Sequence, residues 1–279
     1  MTARSPVGPG GSPVCAGLTT ATRWLWLAAR AATAAVTTVL PTSVPVPLTI
    51  RTGGRTVVTA AVAALAASHS QRVAVVKPAQ TGEPPGPTGD LAVVRRLSGV
   101  TQTHELARFP DPLSPEAAAR AAGRPPLDLA AAAVFIKQLA TDADLILVEG
   151  AGGLLVRYDP AGRTIADLAA MLDAPVLVVT TPGLGTLNHT ALTLEALSTR
   201  RLASAGVVIG AWPAEPGLAE RANLTDLAVI AGQPLAGAVA AGAARLNRAG
   251  FLAAARAGLA PALGGTFSAA SGSSRPSRR

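Results

Sequence analysis

Lysine is nearly absent from this chain: of its 24 basic residues only Lys77 and Lys137 are lysines. Alanine, glycine, proline and arginine are abundant, the mark of a background coding bias, so a single alanine or arginine carries little information. Cysteine is scarcer still. Cys15 stands alone, which excludes an intramolecular disulfide framework and a multi-cysteine metal site and fits a reducing compartment. Acidic residues are missing from the first 82 positions, which hold seven basic groups. The formal charge of +8 invites a nucleic-acid reading, but residues 83–270 carry fourteen basic against sixteen acidic groups, a net of −2. The body of the protein is therefore not basic, and no nucleic-acid partner is expected. Long apolar runs are also lacking. Residues 24–40 form the only one near a terminus, seventeen residues interrupted by Arg30. That is short for a membrane span and carries a charge where a span excludes it. Its Gly/Pro-rich lead is too long for the usual export signal, so no membrane association and a cytoplasmic location are expected.

What the chain does have is bulk. Its 279 residues are 49% hydrophobic, enough for one sizeable core. From about Arg55 onward helix-like and strand-like segments alternate. Residues 56–68 predict a helix, 71–76 a short buried strand, and 115–122 and 127–141 helices. Residues 144–148 (DLILV) and 174–180 (APVLVVT) predict strands, 187–198 a helix and 205–209 (AGVVI) a strand, while 225–231 is too short to assign. Continuous β-branched runs, each followed by a Gly- or Pro-containing loop and a helix, suit a parallel sheet covered on both faces. The fold class expected is α/β: a doubly wound, mostly parallel sheet with helices on both faces. Function then gathers at the carboxyl ends of the strands.

Three strand ends carry polar, Gly-rich loops. The segment Val75-Val76-Lys77-Pro78-Ala79-Gln80-Thr81-Gly82 delivers a lysine, and Glu149-Gly150-Ala151-Gly152-Gly153 follows the strand at 144–148. A third loop, residues 180–189, reads TTPGLGTLNH. A carboxylate at a strand end can hold a divalent cation while bare glycine backbone approaches an anion closely. Together these loops describe a phosphate site. A lysine after a strand is commonly a solvated charge, yet this one is one of two and precedes Pro-x-x-Thr-Gly. Asp90 closes a Gly/Pro-rich loop (GEPPGPTGD), where aspartate also serves turn geometry. His189 reads as a packing residue.

KPAQTG, Asp90, EGAGG at 149–153 and GLGTLNH at 183–189 resemble, in order and spacing, the dethiobiotin synthetase family over about residues 53–240. Related amidotransferase domains share the P-loop fold and the EG-type strand end but differ in the lysine loop. The resemblance implies a P-loop NTPase-type sheet and a Mg2+- and ATP-dependent reaction of 7,8-diaminopelargonate with carbon dioxide. The N7 amine takes up carbon dioxide as a carbamate, ATP phosphorylates it, and the N8 amine closes the ureido ring with loss of phosphate. By the same resemblance Lys77 is catalytic, bridging carbamate and γ-phosphate, and Thr81 hydrogen-bonds the carbamate. Asn188 meets the substrate carboxylate across a homodimer interface. Gly54, Arg55, Thr56, Asp90, Glu149, Gly150, Ala151 and Gly152 line the nucleotide site, with Thr56, Asp90 and Glu149 at magnesium.

The family's Walker-type loop, G-x-x-x-x-G-K-[ST], is altered here. With residues 56–61 on the first helix, Gly54-Arg55-Thr56 stands where Gly-Lys-Thr belongs, and the first glycine falls at Ile50 or beside it, where the chain has none. A planar guanidinium places its charge differently from a compact ammonium. The strand expected before the loop, residues 44–50 (VPVPLTI), contains Pro45 and Pro47, which remove ladder donors. Residues 1–43 then read as a low-complexity extension that packs poorly, 44–263 as the P-loop domain and 264–279 as a disordered Gly/Ser/Arg tail. Residues 210–213 (GAWP) stand where the family often carries an Asn-Asp pair that reads adenine, and 237–240 lack a proline expected near the base, so nucleotide selectivity stays open. Two activities are compatible with the sequence: a ligase of the family's kind that tolerates Arg55, or a catalytically silent substrate-binding homologue. Affinity for ATP separates them.

Overall fold

The computed structural model describes residues 33–38, as backbone, and 54–268. Its centre is a seven-stranded sheet in the order β4-β2-β6-β1-β7-β8-β9, parallel throughout. The strands are β1 (Thr33–Thr38), β2 (Val73–Lys77), β4 (Thr103–Glu105), β6 (Leu145–Glu149), β7 (Val176–Thr180), β8 (Ser204–Trp212) and β9 (Gly237–Ala240). A separate pair, β3 (Gln80–Thr81) with β5 (Arg108–Phe109), extends the loop after β2. The helices are α1 (Gly54–Ser68), α2 (Asp90–Ser98), α3 (Pro115–Ala121), α4 (Leu129–Leu139), α5 (Ile165–Leu172), α6 (Thr186–Thr199), α7 (Leu218–Ala231) and α8 (Arg248–Gly258).

Each inner strand divides its side chains between two apolar layers. Val76, Ile146, Val148, Val178 and Ile209 face one core, shared with α4, α5 and α6. Val75, Leu147, Leu177, Val179 and Val208 face the other, shared with α1, α2 and α8. Both faces being covered, the strands are apolar at every position rather than at alternate ones. Helix α1 lies within the second layer, with every residue from Thr56 to Ala66 buried. Its N-terminus presses against the end of β8, where a Cβ on Gly54 would come within 2.9 Å of the Gly210 backbone. Glycine at both positions permits that approach. At the opposite end of the sheet, Arg72 holds Asp144 at 2.7 Å, and this pair aligns the starts of β2 and β6.

The central strand departs from the sequence expectation. β1 comes from Thr33–Thr38, inside the segment assigned to a poorly packed extension, and pairs with β6 through Ala35↔Val148 and with β7 through Val36↔Leu177. The expected strand at 44–50 and Ile50 of the loop lie outside the described residues. The ladder explains the preference: TAAVTT contains no proline and ends in three β-branched residues, whereas VPVPLTI lacks two backbone donors. At the other terminus the ordered body runs past the expected boundary at Gly264. The Thr266 N–H donates to the Arg256 carbonyl at 2.7 Å, and Phe267, bonded to the Leu259 carbonyl, packs on the core.

Candidate functional site

The carboxyl ends of β2 and β6 are adjacent, and each ends in a charged side chain that is almost fully buried: Lys77 at 2% exposure and Glu149 at 0%. Lys77 Nζ lies 2.6 Å from Asp90 Oδ2, 3.2 Å from Glu149 Oε1 and 3.1 Å from the Gly150 carbonyl. Asp90 opens α2, and its N–H donates to Gln80 Oε1 at 3.0 Å, so the loop from 80 to 90 is tied to its own beginning. Thr56, near the start of α1, donates its hydroxyl to Glu149 Oε1 at 2.9 Å. Four elements, α1, β2, α2 and β6, thus meet in one ionic cluster. Burial works against the Lys77 charge, but Glu149 and Asp90 outweigh it and hold the ammonium above the usual lysine range. Burial likewise opposes the Asp90 charge, and Lys77 with the Thr56 hydroxyl holds its carboxyl below the usual range.

The loop after β6 is held at three successive residues. Lys77 donates to the Gly150 carbonyl, the Ala151 N–H donates to Tyr158 Oη at 2.7 Å, and Arg55 Nη1 donates to the Gly152 carbonyl at 2.7 Å. Burial pushes the Tyr158 phenol up, which keeps it neutral. Tyr158 is wholly buried, so replacing it with phenylalanine leaves the Ala151 N–H without its acceptor. A loss of about 1–3 kcal/mol in the stability read from urea unfolding is expected for Tyr158→Phe.

A second group of residues shapes the loop after β7. The hydroxyls of Thr180, Thr186 and Thr190 form a buried chain, with 2.5 Å and 3.0 Å contacts to Thr180. Asn223, on α7 and 5% exposed, donates to the carbonyls of Pro182 and Gly183 at 2.7 and 3.1 Å. Between this loop and the start of α1 lies a pocket lined by Gly54, Arg55, Val179, Thr180, Thr181, Gly210 and Ala211. The free N–H groups of a helix N-terminus there suit an anion.

The structure brings Thr56, Lys77, Asp90, Glu149 and Gly150 into one cluster, with Arg55 and Gly152 bonded beside it. Thr81 lies further along on β3, half-buried, and Asn188 sits in the first turn of α6, exposed. Sequence reasoning missed Tyr158 and Asn223. The first had one available signal, since it is the only tyrosine in the chain and falls nine positions after Glu149. Asn223 had none, being one polar residue on a helix whose start was not recognised.

The donor set suits a small hard cation. Two carboxylates and a hydroxyl converge, and Glu149 Oε2 is buried with no hydrogen-bond partner among the described residues. Magnesium is commonly held by one or two carboxylates together with substrate phosphates. The hydroxyl comes from the first turn of α1, and the carboxylates from the start of α2 and the end of β6.

A family model described as an AAA domain matches residues 49–241. ATP-dependent dethiobiotin synthetase BioD of Frankia casuarinae is 62% identical over 216 residues, covering 77% of this chain and 91% of the relative. The protein of the same name from Parafrankia sp. is 61% identical over 217 residues, 78% of this chain and 91% of the relative. That of Streptomyces coelicolor is 56% identical over 216 residues, again 77% and 91%.

Proposed function

Because the chain belongs to the family of ATP-dependent dethiobiotin synthetases, we propose that it is a ligase closing the ureido ring of dethiobiotin from 7,8-diaminopelargonate, carbon dioxide and ATP. The observation that carries this reading to particular residues is the buried Lys77 ammonium between two carboxylates, beneath a glycine loop fixed at three successive residues.

Ring closure requires two anions to meet, the carbamate formed on N7 and the γ-phosphate of ATP, and the transferred phosphoryl group then departs as inorganic phosphate. Positive groups aimed at that charge lower the barrier most where water is excluded. Lys77 is the catalytic group in this role, reaching carbamate and γ-phosphate, and Thr81 hydrogen-bonds the carbamate from β3. The N–H groups at the start of α1, with Gly54 and Arg55, face the nucleotide phosphates, and Gly150, Ala151 and Gly152 present backbone beside them. Thr56, Asp90 and Glu149 hold Mg2+, which supplies charge neutralisation on the phosphate oxygens. After phosphoryl transfer to the carbamate, the N8 amine attacks its carbon, and inorganic phosphate leaves.

A homodimer belongs to the same reading. Asn188 lies on α6 beside exposed Leu192, and Leu184 just before the helix is 85% exposed. An apolar rim around an exposed amide suits a second copy whose substrate carboxylate Asn188 meets. A cytoplasmic place for the reaction belongs to the same reading; among the described residues no helix is long and apolar enough to cross a membrane. The test is formation of dethiobiotin from diaminopelargonate, bicarbonate, Mg2+ and ATP. One phosphate released per ring closed, with product lost in Lys77→Ala, supports the proposal. Diaminopelargonate binding without any ATP-dependent product identifies a silent binding protein instead.

A further inference from the structure

Lys77 stands inside the set of oxygens that the reading above gives to the metal. Its Nζ lies between Asp90 Oδ2 at 2.6 Å and Glu149 Oε1 at 3.2 Å, bonding two of the carboxylates that the reading above gives to the metal. A magnesium ion bonds such oxygens at about 2.0–2.1 Å. A cation bonded to Asp90 Oδ2 would lie no more than about 5 Å from the ammonium, close enough for the two charges to repel strongly in a site shut off from water. Glu149 is not free to stand alone there: it is 0% exposed, and an uncompensated buried charge is strongly unfavourable. The protein therefore needs a cation at this position in every state, and the lysine is the one it carries. Glu149 Oε2, buried and without a hydrogen-bond partner among the described residues, leaves a ligand position that the ammonium does not fill.

From this geometry we infer that Lys77 is the exchangeable counter-ion of the metal site, so that entry of the divalent cation displaces its ammonium and sends it, on its flexible four-carbon stem, toward the substrate anions. The inference rests on the metal assignment proposed above. It makes the arming of Lys77 conditional on metal: without metal the ammonium is neutralised by Asp90 and Glu149 and held to the Gly150 carbonyl. With metal bound, the same carboxylates are satisfied and the lysine charge becomes available to phosphate and carbamate. Metal and lysine thus compete for the site when it lacks nucleotide, and act together once the nucleotide supplies further anions.

The scarcity of lysine makes the test direct. Protein grown with isotope-labelled lysine gives two Cε signals in NMR, from Lys77 and Lys137, and Lys137→Arg assigns them. Lys137 is exposed on α4, outside the cluster, and serves as the internal control. Mg2+ added without nucleotide is expected to move the Lys77 signal and spare that of Lys137. In parallel, manganese binding followed by electron paramagnetic resonance is expected to be at least about tenfold tighter in Lys77→Met than in the unaltered protein, since a competing charge is gone. Calorimetric Mg2+ binding that leaves the Lys77 signal in place overturns the exchange. So does a Lys77→Met protein that binds manganese no better than the original, including the case in which neither binds it. Should Lys77→Met fail to fold, the NMR titration on the unaltered protein decides. Addition of Mg2+ with ATP separates the two levels of the argument. A Lys77 signal that responds only then sinks the exchange and keeps the site, whereas no binding and no response sinks both.

Discussion

Glu149→Gln will lower dethiobiotin formation by about two to three orders of magnitude relative to the unaltered chain, the scale of removing one group aimed at transition-state charge. The side chain keeps its shape, and a glutamine amide can still meet the Thr56 hydroxyl and the Lys77 ammonium. What it loses is the negative charge on a side chain that has no access to water and one oxygen without a hydrogen-bond partner among the described residues. Lys77 retains Asp90 at 2.6 Å, so the protein stays folded, and circular dichroism of the variant should match the original. Steady-state kinetics at saturating ATP make the measurement. The loss should appear in kcat and be only partly restored by raising Mg2+, because the remaining ligands, Asp90 and Thr56, no longer supply the charge. Undiminished turnover in Glu149→Gln removes Glu149 from the metal site.

The part of this site that could be read from the sequence is the part set by strand ends. A lysine after VAVV and a glutamate after LILV each stand where a parallel sheet delivers its functional groups, and the parallel pairing of β2 with β6 brings them within 3.2 Å. Asp90 was readable only through the family resemblance, because its Gly/Pro-rich loop suits turn geometry as well. Tyr158 was hidden because its role depends on the chain folding back over residues 150–158, and no local periodicity records that return. Asn223 depends in the same way on α7 lying against the loop after β7. The central strand was not read at Thr33–Thr38 because the sequence there is an apolar run interrupted by Arg30, and the strand was expected at 44–50, which lies outside the described residues. Hydroxyl pairs such as Thr180 with Thr186 are invisible for a simpler reason: threonine in a strand or at a helix start already has a local explanation.

The phosphate loop carries the second large effect. In the family pattern a glycine opens the loop and a lysine closes it; this chain has no glycine at or beside Ile50, and Arg55 stands in the lysine's place. Arg55 is not idle in the structure. Its guanidinium reaches across from the first turn of α1 to the Gly152 carbonyl at 2.7 Å, so it braces the loop after β6 instead of pointing its charge only at phosphate. Arg55→Lys therefore exchanges one loss for another: the ammonium fits the terminal phosphates, while the bond to Gly152 is given up. The non-glycine residue at position 50 also still stands where backbone amides should wrap an anion. Arg55→Lys alone is expected to raise kcat/KM only slightly. Replacing residues 1–55 with an intact family strand and Walker-type loop is expected to raise it at least roughly a hundredfold, the value of restoring one such charge-stabilising group. Nothing else in the cluster needs to change, since Thr56, Lys77, Asp90 and Glu149 already stand within hydrogen-bonding distance of one another. The comparison is made by dethiobiotin formation and by ATP affinity in all three proteins. Equal rates from the original and the loop-replaced chain would show that the α1 N-terminus, with Arg55 as it stands, holds the nucleotide as well as the family's own loop does.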